Sequence, residues 1–475
     1  MGNEQKRTIF INGATTARFL PSVEPREIPM GESHRTDVSS TEQSDISRRS
    51  FIRAGSAVSV AVAAGIPATT ASAKDGETTA AHDTINIGII GTGGRGAGAA
   101  NDTLTINSNI RLVAMADLYA EKCERVRKSL SRRHGEKVAV PDAKMYGGLA
   151  GASKVIEDSD VDLVLLTTSP GFRPYHIAEA AAAGKHIFAE KPTCVDPAGY
   201  RVCLEADRTA RKQGTAIVTG TQYRRQKNYM EAMRRIHAGQ IGDVVSATTR
   251  YCTSGIWNRP RKPGMSDAEY QLYNWMHFIW LSGDQIVEQA VHNIDVMNWL
   301  MEGPPISAYG SGGRFTRPTG SQMWDNVSID YEYPGDRIMS FQCRQIPHTK
   351  GENGSVIYGT KGTARIGAAN KAASLYDQEG GETWTMKGDI GAAYQQEHKD
   401  LVDSIRAGAP IVELKETAES SLTAAMGRMA AYTGQKVDWE FASEKSQLDL
   451  FPKNLSMDGP LEMSPYAVPG VTKLI

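Results

Sequence analysis

The sequence predicts an α/β protein, in which a doubly wound parallel sheet is followed by an α+β domain with a large open mixed sheet. From about residue 84 to residue 220, apolar runs of strand length alternate with helical stretches, which is typical of a parallel sheet covered on both faces. Beyond residue 220, Val327–Tyr333 alternates strictly between apolar and polar residues, and Ile338–Cys343 does so approximately, which indicates half-buried strands. The length of 475 residues also suits two domains better than one.

Polar residues follow the predicted parallel strands, at the edge where such sheets bind ligands. The strands are predicted at Ile85–Ile90, Leu112–Ala116, Val161–Leu166, Lys185–Ala189 and Ala216–Val218. The residues just beyond their carboxyl ends, or on the helix that follows, are candidate cofactor-binding residues: Thr168, Ser169, His176, Glu190 and Lys191.

The first strand runs into a glycine-rich turn and then into the start of a helix. In such a turn Gly91 permits the tight bend, Gly93 lets the backbone approach a pyrophosphate, and Gly96 lets the helix pack on the strand. The N–H groups at the start of the helix are available to bind phosphate oxygens. This G-x-G-x-x-G sequence predicts a Rossmann dinucleotide site, with candidate residues Gly91, Thr92, Gly93, Gly94, Arg95 and Gly96.

Asp117, at the end of the second predicted strand, indicates which dinucleotide binds. A carboxylate in this position accepts hydrogen bonds from the adenosine ribose and repels a 2′-phosphate. It is followed by Leu118 and Tyr119 rather than by Arg or Lys, which favours NAD over NADP. An ordinary glycine turn beside an exposed aspartate is the alternative.

Composition excludes other classes of function. The 53 basic and 54 acidic residues give a formal charge of −1, so nothing favours a nucleic-acid partner. The five cysteines have neither zinc-type spacing nor a disulfide pattern, and we expect them to be small buried apolar residues.

The N-terminal region predicts export. Residues 47–53, Ser-Arg-Arg-Ser-Phe-Ile-Arg, resemble a twin-arginine signal, and the weakly apolar stretch 54–71 leads to the small-x-small sequence at 71–73. A membrane anchor is the alternative, but the stretch is short, Ala-rich and interrupted by Pro67. We therefore expect delivery by the twin-arginine machinery to the periplasm or the cell exterior, with no membrane anchor after processing. Met30 is an alternative start.

Several further motifs resemble one enzyme family. Glu190-Lys191-Pro192 at a strand end is similar to the EKP motif of the glucose-fructose oxidoreductase and inositol dehydrogenase (Gfo/Idh/MocA) superfamily, and residues 359–362 and 397–405 also match. Residues 270–295 resemble a secreted, twin-arginine branch of that superfamily. The similarity spans roughly residues 84–440. It implies NAD as the cofactor and a homo-oligomer formed through the outer face of the second sheet.

The resemblance also implies the catalytic residues. Family members place the EKP lysine, together with an acid and a histidine four residues apart, around the substrate carbinol, and these positions correspond to Lys191, Glu288 and His292. Inositol-dehydrogenase-like members usually have Asp as the acid, so Glu288 departs from the pattern by one methylene. We expect His292 to act as general base, with its pKa held near the working pH by Glu288, and Lys191 to stabilise a developing alkoxide.

The residues around His292 support a site independently of the resemblance. One helix is predicted from Gln285 to Met301, without Lys or Arg, and Glu288, His292 and Asp295 share one of its faces. Ionisable groups on so apolar a helix are costly to desolvate and usually mark a site, so Asp295 is a candidate substrate-binding residue. The alternative is that His292 and Asp295 are core polar residues with structural hydrogen bonds. A zinc site is excluded because a third ligand is lacking, and no other metal is expected.

Other candidate substrate contacts lie in an aromatic loop and at a strand end. Trp257, Arg259 and Trp275 form walls on which a sugar can stack, although aromatic residues at this density are also ordinary core material. Arg344 follows a predicted strand and can reach a substrate hydroxyl or carboxylate.

These observations predict an exported oxidoreductase that transfers hydride between a carbinol of a sugar-like polyol or glycoside and tightly bound NAD. Tight binding is expected because no pool of free NAD exists outside the cytoplasm. One alternative is a glycosidase that acts by transient oxidation and elimination, and another is a non-catalytic protein that binds a sugar or the cofactor. The predicted segments are an export signal with a long polar lead (1–73), a linker (74–83), the Rossmann domain (84–220), a substrate-binding and oligomerisation domain (221–440) and a tail (441–475).

Overall fold

The computed structural model describes residues 84–475. The predicted export signal and linker, residues 1–83, lie outside the described residues.

The first sheet is parallel, as predicted, and has six strands. Buried apolar runs form them, namely β1 Ile85–Ile90, β2 Ile110–Ala116, β3 Met145–Tyr146, β4 Leu163–Leu166, β5 His186–Ala189 and β6 Ile217–Thr219. They lie in the order β3-β2-β1-β4-β5-β6, so successive strands are added on one side of β1 up to β3 and on its other side from β4 onward. A crevice beyond the strand ends at such a reversal of strand order is where this fold binds ligands.

Helices cover both faces of this sheet. They are α1 Gly94–Ile106, α2 Ala120–His134, α3 Gly151–Ile156, α4 Arg173–Ala182 and α5 Pro197–Gln213. Two apolar clusters result, one on each face, and both consist largely of Ile, Leu, Val and Ala. The two-residue strand β3 escaped prediction because so short a run carries no periodic signal.

The second sheet is mixed and has nine strands, which confirms the predicted open sheet. The strands are β7 Val244–Thr253, β8 Ser307–Gly313, β9 Asn326–Tyr333, β10 Arg337–Gln345, β11 Glu352–Gly359, β12 Gly362–Gly367, β13 Ala373–Asp377, β14 Glu382–Met386 and β15 Val437–Asp438. Their order is β14-β13-β12-β11-β7-β10-β9-β8-β15, and β7 pairs in parallel with β10. The alternation in β9 buries Tyr331 and Tyr333 and exposes Asp330.

Seven further helices complete the fold: α6 Lys227–His237, α7 Asp267–Tyr273, α8 Ile279–Ser282, α9 Gln285–Glu288, α10 Val291–Met301, α11 Ile390–Arg406 and α12 Leu414–Thr433. Helices α10 and α12 pack on the inner face of the second sheet. Helix α11 instead returns to the first sheet, where Leu401 and Val402 enter the core. There His398 Nδ1 also lies 3.0 Å from Thr103 Oγ1. The first sheet is therefore completed by a helix that follows eight of the nine strands of the second sheet in sequence.

The single helix predicted from Gln285 to Met301 is wrong, because the chain forms two helices separated by Gln289 and Ala290. The Ala290 N–H donates to the Gln285 carbonyl at 3.0 Å, one residue further back than in an α-helix. The Gln289 side chain is held by Gln345 of β10. Because this turn is fixed by a contact with the second sheet, residue periodicity alone could not reveal it.

All five cysteines are buried and unpaired, which confirms that they serve as small core residues. None of the helices in residues 84–475 combines the length and apolarity needed to span a bilayer.

Candidate active site

A cavity of about 1230 Å³ lies beyond the carboxyl ends of the parallel strands, where α9, α10 and the 254–275 loop meet the first domain. Most of the predicted site residues line it: Gly91, Gly93, Gly94, Arg95, Gly96, Asp117, Thr168, Ser169, His176, Glu190, Lys191, Glu288, His292, Arg259 and Trp275. Four predicted residues of the described chain do not: Thr92, Trp257, Asp295 and Arg344.

The glycine turn is shaped to receive a dinucleotide. Gly91 has φ 97°, and a Cβ there would lie 2.8 Å from the backbone of Thr167. A Cβ on Gly96 would lie 1.9 Å from the Gly91 carbonyl oxygen. At Gly93 and Gly94, by contrast, a Cβ would meet nothing within 4 Å, so the space before the first turn of α1 is open. The backbone N–H groups there can bind a pyrophosphate, and the residues present therefore fit the cofactor.

Asp117 is held by four donors of the protein itself. Its Oδ2 accepts from the Thr92 N–H at 2.8 Å and from the Thr92 hydroxyl at 3.2 Å. Its Oδ1 accepts from the Tyr119 N–H at 3.2 Å and lies 3.2 Å from Lys122 Nζ. Thr92, predicted to bind the cofactor, is buried beneath the cavity and orients Asp117 instead. Lys122 was not predicted as a site residue, because it lies five residues beyond Asp117, inside α2, and not directly after the strand.

Lys191 and Glu288 join the two domains at the cavity wall. Lys191 Nζ donates to the Glu288 backbone carbonyl at 2.7 Å and lies 3.4 Å from Glu288 Oε1. Both side chains are largely buried, at 13% and 15% exposure. The ammonium of Lys191 therefore has a defined position facing the cavity.

His292 lines the same cavity, and its ring lies 5.6 Å from that of Tyr223. Burial, together with the positive charges of Lys191 and Arg95, holds the pKa of His292 well below its ordinary value. The expectation that Glu288 holds this pKa near the working pH is wrong, because the Glu288 carboxylate faces Lys191 and the pKa is lowered instead. The structure thus gives a neutral imidazole, which can accept a proton.

Arg95 connects the glycine turn to the EKP segment. Its Nε donates to Glu190 Oε1, and its guanidinium stacks on Tyr394 at 4.6 Å. Burial alone would raise the pKa of Glu190, but Arg95, Lys191 and Arg173 outweigh it and hold the pKa below its ordinary value. A charged Glu190 therefore fixes Arg95 beside the space before α1. Tyr394 escaped prediction because it comes from α11, more than 170 residues beyond β6.

Arg173 is a further site residue that sequence reasoning missed. The side chain is buried, and its two terminal nitrogens donate to the carbonyls of Thr168 and Pro192. It therefore connects the loops that follow β4 and β5. Burial, with Arg173 adding its charge, lowers the pKa of His176 to about 4, and His176 Nδ1 lies 3.3 Å from Thr168 Oγ1.

Asp295 does not bind substrate from the cavity wall. It is 1% exposed and pairs with Arg224, whose Nε and Nη2 lie 2.9 and 2.8 Å from its oxygens. The Ser420 hydroxyl donates to it at 2.8 Å. Asp295 lies one turn further along α10 than His292 and faces α12 rather than the cavity, so its interpretation as a core polar residue is correct.

The other two predicted substrate contacts also lie off the cavity wall. The Arg344 guanidinium donates to the Lys350 carbonyl at 2.6 Å, outside the cavity. Trp257 contacts Arg259, which lines the cavity, because the Arg259 guanidinium stacks on the Trp257 ring at 3.9 Å. Of the two predicted tryptophans, Trp275 lines the cavity, whereas the Trp257 ring packs against the Arg259 guanidinium.

The 254–275 loop encloses one side of the cavity, and Lys262, Gly264 and Met265 line it. The loop contacts the first domain through the Tyr119 hydroxyl, which donates to Glu269 Oε1 at 3.2 Å. The C-terminal tail holds the loop from outside. Its carbonyls accept hydrogen bonds from two loop side chains, Ser266 to Met457 and Gln271 to Leu461.

Residues 84–475 contain no cluster of His, Cys, Asp or Glu that could hold a metal ion.

Two family models match this chain. Residues 85–221 match an oxidoreductase family with an NAD-binding Rossmann fold, and residues 229–365 match the GFO/IDH/MocA C-terminal domain. Together they cover more than half of the chain.

Curated relatives are inositol dehydrogenases. The chain is 22% identical to inositol 2-dehydrogenase 3 of Saccharopolyspora erythraea over 342 residues, which is 69% of this chain and 86% of the relative. It is 26% identical to inositol 2-dehydrogenase of Serratia proteamaculans over 225 residues, which is 47% of this chain and 56% of the relative. The second match thus spans little more than half of that relative.

Solved structures share the fold. A levoglucosan dehydrogenase in complex with NADH and levoglucosan gives a TM-score of 0.60 at 18% identity, over 74% of this chain and 99% of that one. An aldose-aldose oxidoreductase from Caulobacter crescentus in complex with glycerol gives 0.59 at 18% identity, over 75% and 99%. Because both family models match and the glycine turn is shaped for a dinucleotide, this chain belongs to the Gfo/Idh/MocA family of oxidoreductases and has an NAD-binding Rossmann domain.

Proposed function

We propose that this protein oxidises a secondary carbinol of a sugar-like substrate, a polyol or a glycoside, and that NAD is its hydride acceptor. The observation that carries the proposal is that the glycine turn, Lys191 and His292 line one cavity. The names of the similar proteins, which include inositol, levoglucosan and aldose oxidoreductases, support the substrate class.

The described residues divide the chemistry between them. NAD, when bound, would supply a nicotinamide ring as the acceptor for hydride from the carbinol C–H. Lys191 Nζ, held at the Glu288 carbonyl, can donate a hydrogen bond to the carbinol oxygen and stabilise negative charge that develops there. His292, neutral because its pKa is lowered, takes the hydroxyl proton. The C–H bond breaks, the C=O bond forms, and the proton leaves on the imidazole.

The proposal includes a retained cofactor, export and self-association. Retention is supported by the 254–275 loop, which lines the cavity while Tyr119 and the tail hold it in place. Export rests on the twin-arginine-like sequence at residues 47–53. Self-association rests on the open outer face of the nine-stranded sheet, whose strands carry exposed Ile338 and Tyr358.

Denaturing the purified protein and identifying the released nucleotide tests the cofactor. A screen of polyols, free sugars and glycosides for reduction of bound NAD then tests the reaction. We expect Lys191→Met and His292→Asn each to lower turnover by about 10²-fold or more, while Lys128→Met on the exposed face of α2 leaves it unchanged.

Two outcomes contradict the proposal: the absence of any bound or bindable dinucleotide, and normal turnover by both site variants. Release of an aglycone without net reduction of NAD would instead favour the glycosidase alternative.

A further inference from the structure

The adenosine end of the cavity contains a cation placed on the carboxylate that is expected to select NAD. Lys122 is the third residue of α2, and its Nζ is 3.2 Å from Asp117 Oδ1. The Asp117 side chain is only 8% exposed, whereas that of Lys122 is 36% exposed. Both residues line the cavity, and the lysine partly covers the carboxylate there.

Asp117 has no spare acceptor position while Lys122 stays there. A carboxylate offers about four lone-pair sites, and within residues 84–475 the four donors from Thr92, Tyr119 and Lys122 occupy them. Two of these donors are backbone N–H groups, and the third is the buried Thr92 hydroxyl. Lys122 is the donor that can move, because it stands on a flexible and partly exposed side chain.

This arrangement changes what a cofactor meets at the adenosine ribose. A ribose hydroxyl must displace Lys122 to reach Asp117, whereas a 2′-phosphate would meet an ammonium group in place of a bare carboxylate. Arg125, on the next turn of α2, also lines the cavity. Glu121 lines it as well and is the one acid of α2 on this wall.

We propose that Lys122 determines the cofactor preference, and that through it the site accepts NADP(H) as well as NAD(H). The inference rests on the proposed function, since it concerns the dinucleotide at the same site. It differs from the preference for NAD that Asp117 alone predicts.

Binding measurements test the inference without any substrate. Full-length protein is freed of nucleotide, and the dissociation constants of NADH and NADPH are measured by the fluorescence of the reduced ring. For the wild type we expect the two constants to agree within about tenfold. In Lys122→Met we expect NADPH to bind about tenfold more weakly or worse, while NADH binds as before or more tightly because Asp117 is freed.

Two further variants serve as controls. Lys122→Arg keeps the cation and should retain NADPH binding, and Lys128→Met removes an exposed lysine of the same helix and should leave both constants unchanged. The inference fails, while the proposed function stands, if NADH binds but Lys122→Met leaves the ratio of the NADPH and NADH dissociation constants unchanged. It fails in the same way if the wild type binds NADPH more than about 100-fold more weakly than NADH. If neither dinucleotide binds the folded wild type, the proposed function fails with it.

Discussion

Lys191 Nζ is closer to the backbone carbonyl of Glu288, at 2.7 Å, than to its carboxylate, at 3.4 Å. The ammonium group is thus positioned chiefly by the end of α9, which no side-chain substitution removes. This separates the contributions of the two residues. Lys191 supplies the charge at the cavity, while the acid four residues before His292 acts mainly as a neighbour of the lysine.

Glu288→Gln should therefore be a mild substitution. It retains the backbone acceptor for Lys191 and removes only the longer contact, so we expect turnover to fall by less than about tenfold, against about 10²-fold for Lys191→Met. Steady-state kinetics on the identified substrate measures both. A loss as large in Glu288→Gln as in Lys191→Met would show that the carboxylate itself takes part.

The pH dependence of oxidation should reflect the lowered pKa of His292. The neutral imidazole is the proton acceptor, and it persists below the ordinary histidine pKa of 6.5 because burial and the nearby cations disfavour its charged form. We expect kcat/KM for oxidation to stay level as the pH falls through 6.5 and to decline only at lower pH. A profile of kcat/KM from pH 4.5 to about 9 measures this, and an acid limb centred at or above about 6.5 would contradict it.

Protonation of His176 should destabilise the folded protein in acid. Its pKa is about 4 when folded and 6.5 when exposed, so between these values the unfolded chain binds more protons. Stability is therefore full above pH 6.5 and decreases as the pH falls towards 4, by up to about 3 kcal/mol for this group. Urea unfolding at several pH values should show a weaker decrease for His176→Gln than for the wild type. An equal decrease in both proteins would assign the effect to other groups.

Arg173 should contribute strongly to stability because it alone spans the carbonyls of Thr168 and Pro192 within the described chain. Lysine cannot reach both, so Arg173→Lys leaves a buried carbonyl without its donor. We expect a loss of about 2–3 kcal/mol in unfolding free energy and weaker NADH binding. Arg208→Lys, at an exposed pair with Glu205, is the matched control and should cost under about 0.5 kcal/mol.

The hydrogen bond between Tyr119 and Glu269 should slow release of the cofactor. Tyr119→Phe removes this bond between the first domain and the 254–275 loop, and one such bond contributes about 1 kcal/mol. We expect bound dinucleotide to dissociate about fivefold faster, measured by dilution into a trap for free nucleotide. Tyr309→Phe, at an exposed position on β8, should leave the rate unchanged. Equal rates in the wild type and Tyr119→Phe would mean that the loop does not limit release.

The sequence alone was sufficient for the local features of the site. The glycine turn, the strand ends and the lysine of the EKP motif are each encoded within a few neighbouring residues, and the cavity contains all three. Contacts between residues far apart in the sequence were not predictable. Arg224 reaches Asp295 across 71 residues, and Tyr394 comes from α11, which follows the first eight strands of the second sheet. Such partners depend on how helices pack, which periodicity does not specify.

The prediction of Asp295 failed for a related reason. Helical spacing places His292 and Asp295 on one face, but it does not show how far along the helix the cavity extends, and only His292, on the first turn of α10, lines it. Asp295 instead meets Arg224 and Ser420. The same signal, a buried polar residue on an apolar helix, thus has two meanings here. His292 lines the cavity, whereas Asp295, one turn later, forms a structural ion pair.

The contacts of Ser266 and Gln271 with Met457 and Leu461 have a consequence for the order of events during biosynthesis. The ribosome must complete almost all of the 475 residues before these carbonyls can accept the hydrogen bonds that hold the 254–275 loop at the cavity wall. Until that last segment of the polypeptide has docked, neither of these two hydrogen bonds can restrain the loop at the cavity wall.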